Sequence, residues 1–365
     1  MKTLLRFSAV LAFALISESC SALPKLPTSL LTKQSPNVPP YRGVFHVHTK
    51  YSHDSAGTLR NVIRAARDRN LDFALITDHN TLEGKSDQTV LRGSKDPLLI
   101  FGNEISTTDG HLIALGTDQK IKAPIESQTA IDQIHEQGGF AILAHPVCER
   151  TSWKNWNVKN YDGMEVYNFA CDFYASNKPM FFLKSLLMSP ALFIAQVIRE
   201  PREPLAQWDS VSLSKPVVGF GAVDAHVRYR ILGFPLMRYS LAFRSVTMYA
   251  NAKSRSEKDI VEALVSGKSF IVFESRGSAK TFKFEAKRGT DVFEMGSKIR
   301  SEAPVALVVQ SPAPSEIRVI RNGEVVRKKS GETLVFDAKM PGVYRVEVFR
   351  NGKIWIISNP ITIQV

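Results

Sequence analysis

Residues 41–55 read YRGVFHVHTKYSHDS. Val44 to His48 form a short run of strand character, and alternate strand positions point to one side, so His46 and His48 present both imidazoles to the same space. Working outward, Thr58 can cap a helix whose Leu59, Val62, Ile63 and Ala66 share a face. Asp72 to Thr77 is a second strand, and Leu98 to Phe101 and Leu112 to Leu115 are two more. Thr129 to Gln137 reads as a helix stopped by Gly138 and Gly139 ahead of the apolar strand Phe140 to Ala144. Gly163 to Tyr167 and Val217 to Val223 continue the series. Ser256 opens a helix, with Asp259 three residues on, that ends at Gly267 and leads into Ser269 to Phe273. Strand and helix in alternation predict an α/β fold, a barrel or a doubly wound sheet.

The texture changes after about Lys280. Short alternating runs, Glu316 to Ile320, Val343 to Phe349 and Ile354 to Ile357, are separated by Asn322-Gly323, Pro341-Gly342 and Asn351-Gly352, which are tight-turn signals. Residues 278–365 are therefore expected to form a small all-β sandwich of immunoglobulin-like size. They contain no histidine, so this unit is expected to support, dock or bind.

The 365 residues carry a formal charge of +12, with 44% hydrophobic and 22% charged side chains. Such a composition excludes a largely disordered chain and favours anionic partners without choosing among phosphorylated substrates, nucleic acid and acidic membranes. Residues 1–20 read as an export signal: Lys2 and Arg6 precede the apolar run Phe7 to Ile16, which is too short to span a bilayer. Ser17-Glu18-Ser19-Cys20 resembles a lipoprotein processing site, although Glu18 departs from the usual pattern. The expectation is an envelope protein facing the periplasm or the exterior, tethered through a lipid on Cys20, with ordinary signal cleavage as the alternative. Residues 21–40, rich in proline, serine and threonine, suit a flexible linker. Cys148 and Cys171 remain; an oxidising compartment permits a disulfide, and free buried thiols are the other reading. Phe181 to Trp208 reads as a helical insertion above the site or as packing against its exterior.

Of the eight histidines, all except His53 and His135 lie at or beside the edge of an expected strand. Asp54 follows the first strand, Asp78 and His79 close the second, Glu104 follows Gly102-Asn103, His111 opens another, His145 ends Phe140 to Ala144, and Asp224 and His226 follow Val223. A lone histidine beside a strand is ordinarily structural and a lone aspartate there ordinarily a helix cap. The repetition argues for a site, because the ends of barrel strands converge on one rim. Nitrogen and carboxylate ligands without cysteine suit divalent Mn, Fe or Zn, and Glu104 is placed to bridge two ions.

His46-Val47-His48-Thr49, Ile76-Thr77-Asp78-His79-Asn80, Gly102-Asn103-Glu104-Ile105, Ala144-His145-Pro146 and Asp224-Ala225-His226 together resemble the PHP (polymerase and histidinol phosphatase) family, in order across residues 41–277. The resemblance implies a distorted (β/α)7 barrel with two or three divalent ions at its rim. It places His46, His48, Glu104 and Asp224 around a first ion, Glu104, His111 and His145 around a second, and Asp54, His79 and His226 around a third. Where many members have Ser-Asp-Gly, this chain has Ser52-His53-Asp54-Ser55; spacing favours Asp54 over His53 as the ligand. The C-terminal unit also resembles a sandwich found behind exported members.

A water bridging two dications is acidified towards neutrality and can attack phosphorus in line. The expected function is hydrolysis of a phosphorylated small molecule or short oligonucleotide. Glu104 holds the centre together, and His226 or His79 protonates the leaving group if the third ion is not used. Lys50, Arg150, Arg228 and Arg230 neighbour the expected ligands and are candidates for substrate phosphate. Asp78 and Glu165 are candidates for support from behind, Asp78 with a helix cap and Glu165 with a buried pairing to an arginine as their other readings. Metal-dependent amide or carbonyl hydrolysis and a non-catalytic metal-binding envelope protein are the competing functions.

Overall fold

The computed structural model describes residues 39–87, 97–176, 187–227, 230–231, 234–235, 237–301 and 303–364. The expected signal, the lipidation site Cys20, linker residues 21–38 and Arg228 lie outside the described residues, as does the side chain of Arg230.

The chain has a mixed α/β fold in which, among the described residues, hydrogen-bonded ladders connect 17 strands. β1 (Tyr41–Val47), α1 (Leu59–Asp68), β2 (Phe73–Ile76) and β3 (Leu98–Ser106) open it, followed by β4 (His111–Leu115), α2 (Ser127–Glu136), β5 (Phe140–Ala144), β6 (Gly163–Asn168) and α3 (Phe169–Ala175). Then come α4 (Pro190–Val197), α5 (Arg202–Ser212), β7 (Val218–Ala222), the two-residue strands β8 (Arg230–Ile231) and β9 (Phe234–Pro235), and α6 (Tyr239–Ala242). β10 (Val246–Ala250), α7 (Glu257–Val265) and β11 (Ser269–Phe273) complete the first part. Thr58 caps α1 through a reciprocal capping box with Asn61, and Ser256 caps α7 by accepting from the Asp259 amide. α2 begins two residues before the expected Thr129, because the Glu126 carboxylate accepts from the amides of Gln128 and Thr129.

β1, β2 and β3 are parallel neighbours, as are β5, β6 and β7. β4 departs from the expected alternation: it runs antiparallel to both β3 and β5. Only residues 107–110 separate it from β3, a connection too short for a parallel crossover. This pairing extends β3 to Ser106, so Glu104 lies within a strand rather than after one. Beyond β7 the chain returns to β1, with the Val223 and Ala225 amides donating to the Phe45 and His46 carbonyls at 3.0 and 3.3 Å. The His48 amide donates back to the Ala225 carbonyl at 3.2 Å. α5 packs on the outside of this sheet: the Trp208 indole donates to the Val217 carbonyl at 2.8 Å and lies where Gly219 leaves no room for a Cβ. Among the described residues no helix is long and apolar enough to cross a membrane.

From residue 283 the described elements are all strands: β12 (Lys283–Arg288), β13 (Asp291–Glu294), β14 (Lys298–Arg300), β15 (Val305–Arg321), β16 (Glu324–Ala338), β17 (Gly342–Arg350), β18 (Lys353–Ser358) and β19 (Ile361–Gln364). The long β15–β16 hairpin shifts register between Gln310 and Ser315, so one half of β15 pairs with β12 and the other with β17. Trp355, Tyr344, Phe284 and Ile356 lie in their core. β18 pairs antiparallel with β11, which carries the sheet across residue 278. Asn359 binds both backbone groups of Gly219, and Arg345 makes a bidentate pair with Asp209 of α5 at 2.7 Å on each arm.

Candidate metal centre

The C-terminal ends of β1, β2, β5 and β7, with the inner residues of β3 and β4, bring seven side chains from remote stretches to one cavity of about 360 Å3. It is lined by Asp54, His79, Glu104, His111, His145, Asp224 and His226, and His46 and His48 lie buried beneath them. Glu104 occupies the middle. Its Oε2 lies 3.0 Å from Nε2 of both His46 and His48, and its Oε1 lies 2.9 Å from His111 Nδ1 and 3.0 Å from His145 Nε2. Each carboxylate oxygen therefore serves a different pair of imidazoles, the arrangement a bridging ligand requires.

Asp224 Oδ1 approaches the first pair, 3.6 Å from His46 Nε2 and 3.5 Å from His48 Nε2. A third grouping forms around Asp54, whose Oδ2 is 3.0 Å from His226 Nε2 and 3.3 Å from His79 Nε2. His79 stands between groupings, since its Nδ1 also lies 3.4 Å from Glu104. His53 also lines the cavity, exposed and with its ring centre 5.0 Å from that of His79, but it belongs to none of the three groupings, whereas Asp54 does.

These residues fit divalent ions on two counts. First, His46 and His48 bring their Nε2 atoms to 2.9 Å, while their other nitrogens are engaged by Glu165 at 2.5 Å and Ser52 at 3.0 Å. With those outer nitrogens protonated, two lone pairs and several carboxylate oxygens face one point, which a bound cation, or in its absence a proton, relieves. Second, His79 Nδ1, His111 Nδ1, Asp224 Oδ1 and His226 Nε2 are buried without a hydrogen bond, which a folded protein rarely tolerates. The electrostatics agree. Burial opposes charge throughout, yet Glu104 and Asp224 are held well below the usual carboxylate range by the histidines around them. Against the same burial, the carboxylates raise His46 well above its ordinary value and His226 to about 10. His48, with burial and His226 both acting against its charge, is pushed down to about 4.

The backbone is held in unusual geometry at the same place. Among the described residues eight non-glycine residues have positive φ, and five of them are asparagines. The other three are His46 (71°), His145 (33°) and Asp224 (46°). Such positions cost about 1–3 kcal/mol each and persist where surrounding structure enforces them.

Support comes from behind. Glu165 accepts from His46 through one oxygen and from the His145 amide and Asn168 Nδ2, both at 2.8 Å, through the other. It is a carboxylate that orients ligands rather than one paired with an arginine. Asp78 binds both the amide and the hydroxyl of Thr49, fixing the loop after β1 rather than His79. Ser52 accepts from the His79 amide at 2.9 Å, Thr151 Oγ1 lies 2.9 Å from His145 Nδ1, and Asn168 Nδ2 reaches Asp224 at 3.2 Å. No role for these three follows from sequence: a serine, threonine or asparagine in a loop carries no local mark of a partner remote along the chain.

The candidate phosphate ligands divide. Arg150 lines the cavity, its guanidinium over the Tyr174 ring at 5.4 Å. Lys50 is exposed, lies over Tyr51 and does not line the cavity. Cys148 and Cys171 form a disulfide with Cα atoms 5.9 Å apart, which replaces the reading of free thiols.

A β-rimmed cluster of histidines and carboxylates built to hold divalent ions defines the class, and comparison with known proteins supplies the family. Residues 45–166 match the model of the PHP domain. The uncharacterized protein MJ1587 of Methanocaldococcus jannaschii is 32% identical over 136 residues, covering 34% of this chain and 79% of that one. The chain belongs to the PHP family. Among solved structures, a two-domain protein of Bacteroides vulgatus containing a predicted PHP-like metal-dependent phosphoesterase aligns over 89% of this chain and 96% of its own, at 17% identity and a TM-score of 0.45. PsfC from Pseudomonas syringae aligns over 65% and 92%, at 10% identity and a TM-score of 0.44.

Proposed function

We propose that this chain hydrolyses phosphoric esters with two or three divalent ions, Mn, Fe or Zn, held at the mouth of a distorted (β/α)7 barrel that is followed by a β-sandwich. The observation that carries the reading is Glu104, with one oxygen towards His46 and His48 and the other towards His111 and His145. The return of residues 223–225 to β1 supports ring closure.

Bound ions would supply Lewis acidity to the phosphoryl oxygens and acidify a water nucleophile. The chain's own residues do the rest. Glu165 and Ser52 fix the tautomers of His46 and His48, so that both Nε2 atoms remain free to coordinate. Arg150, at the cavity wall, receives substrate oxygens that do not react. His226, with its raised affinity for a proton, keeps one on Nε2 beside Asp54 at neutral pH unless an ion displaces it, and can pass it to the leaving alkoxide. His79 is the second candidate for that donor. Substrates of this reading are a phosphorylated small molecule or a short oligonucleotide.

The protein is further proposed to work outside the cytoplasm, anchored through Cys20. The Cys148–Cys171 bond supports this independently of the leader, since disulfides persist mainly in oxidising compartments. Elemental analysis of the purified protein, with a panel of phosphomonoesters, phosphodiesters and amides assayed in added manganese, tests the reading. Two or more ions per chain and phosphoester turnover lost in Glu104→Gln are expected. Turnover of amides alone, or activity unaffected by Glu104→Gln, would refute it.

A further inference from the structure

Residues 145–162, between β5 and β6, carry no helix or strand. His145, the first of them, supplies one wall of the cavity from a strained backbone position. An irregular segment of this length ordinarily moves, yet His145 must hold its ring within a few tenths of an ångström to share an ion with Glu104. Hydrogen bonds close the first turn of the segment on itself. The Cys148 amide donates to the His145 carbonyl and the Thr151 amide to the Cys148 carbonyl, both at 3.1 Å, while Thr151 Oγ1 meets His145 Nδ1. These bonds shape the turn; the segment is next fastened at Trp153, buried against Gly110, and at Lys154, whose amide donates to the Asp109 carbonyl at 2.9 Å, which leaves the turn at 146–152 between these anchors and His145. The attachment to α3 is covalent, through Cys148–Cys171.

Cys171 lies in the first turn of α3, and its amide donates to Asn168 Oδ1 at 3.1 Å. Asn168 Nδ2 binds Glu165 and Asp224, and Glu165 binds the His145 amide. The disulfide thus closes a circuit that runs from His145 through Cys148, Cys171, Asn168 and Glu165 back to His145. The sulfurs also form part of the ridge between the metal cavity and a neighbouring chamber of about 480 Å3, with Arg150 and Tyr174. We infer that this disulfide is a positioning element of the second ion site: it holds His145 against Glu104 and His111, and is dispensable for the site of His46, His48 and Asp224. The first site draws its side chains from β1 and the end of β7, whose backbone bonds to each other are independent of the 145–162 segment.

This rests on the metal reading above, and the test separates the two. Manganese(II) is titrated into metal-free wild-type protein and a Cys148→Ala/Cys171→Ala variant by equilibrium dialysis, with the electron paramagnetic resonance spectrum recorded at saturation. The wild type is expected to take two ions with the spectrum of a coupled pair. The variant should bind the first ion within about 3-fold of wild type and the second at least ~10-fold more weakly, the size of effect that supporting residues have on bound metal. Its spectrum should revert to that of isolated manganese. His145→Ala should reproduce this split, and His46→Ala should invert it. Should the double variant fail to fold, the same titration is made on folded wild type reduced by a water-soluble phosphine and desalted anaerobically. That reaction consumes one water, breaks the S–S bond to two thiols and leaves the phosphine oxide. Unchanged affinity for both ions, or equal loss of both, overturns the inference while leaving the metal reading intact. A wild type that binds no ion pair overturns the metal reading itself.

Discussion

The strand ends of the PHP domain and the β-strands after residue 283 use the same unusual backbone geometry for opposite ends. In the β unit, positive φ falls at Asn322-Gly323 and Asn351-Gly352, tight hairpin turns whose residues adopt it at little cost. At the rim it falls on His46, His145 and Asp224, within or just beyond strands β1, β5 and β7 rather than in a hairpin. Buried charge divides likewise. Arg345 in the β unit is fully matched, with Asp209 and Glu347 each at 2.7 Å, whereas the rim buries His79 Nδ1, His111 Nδ1, Asp224 Oδ1 and His226 Nε2 without a hydrogen bond, in three neighbouring groupings. One region is locally consistent and stabilises the molecule; the other is locally strained and is held by its surroundings, as functional sites are.

The contrast is broken first at Glu104. Glu104→Gln replaces one of two oxygens, each of which serves its own pair of imidazoles, by an amide NH2 and removes the negative charge, and hydrolysis should fall by at least ~1000-fold, on the order of 4 kcal/mol in barrier. Cooperative thermal unfolding of the metal-free protein should persist, because the β core is untouched. Steady-state rates with a calorimetric scan check both halves, and a variant that loses its fold contradicts the division. Arg345→Met tests the other side: it leaves the buried Glu347 and the half-buried Asp209 without their partner and should cost about 3–5 kcal/mol in denaturant unfolding. Its turnover at low temperature should match wild type. A selective loss of manganese affinity would show that the two regions are not separable.

Much of this contrast is legible in the sequence. His-x-His, Asp-His, His-Pro and Asp-x-His recur at strand ends, and Asn-Gly pairs mark the hairpins, because both signals are local. What stays hidden depends on partners far along the chain. β10 is buried on both faces and pairs antiparallel with β1 and β11, so Val246 to Ala250 lacks the alternation that identifies a half-exposed strand. The direction of β4 depends on a four-residue connection that resembles any other polar loop. Glu165 is suggestive from its place in a strand, but its partner His46 lies 119 residues away. Two cysteines beyond the leader allow a bond without requiring it, and Lys50 sits beside the ligands in sequence while its loop carries it elsewhere.

Between the two extremes lies Asp172, in α3 beside the ridge. Burial raises its carboxyl to about 6, against the partly compensating Arg199 amide and Tyr167. The folded chain therefore holds this proton more tightly than the unfolded chain. The native state is favoured below the ordinary carboxylate value, near 3.8, and loses that advantage as pH rises to about 6. Asp172→Asn, neutral throughout, should be indistinguishable from wild type below about pH 4 and more stable by about 1–3 kcal/mol above pH 6. Urea unfolding at pH 4 and pH 7.5 measures the difference. A gain of equal size at both values would mean that the stabilisation is not electrostatic.

The smallest effect sharpens the line between sequence proximity and placement. Arg150 and Lys50 are both cations next to ligands in the chain, yet only Arg150 lines the cavity, and among the described residues it has no carboxylate within 4 Å. Arg150→Ala should raise KM for a phosphoester about 10-fold, close to 1.4 kcal/mol, with kcat changed less, because the guanidinium binds substrate alike before and during reaction. Lys50→Ala should shift KM by less than about 2-fold, since Lys50, although exposed like Arg150, does not line the cavity. Equal shifts in the two variants would mean that long-range attraction by the chain's net charge, and not contact at the ridge, brings the anion in. Repeating both measurements in added salt separates these causes, since screening removes a distant attraction and leaves a contact largely intact.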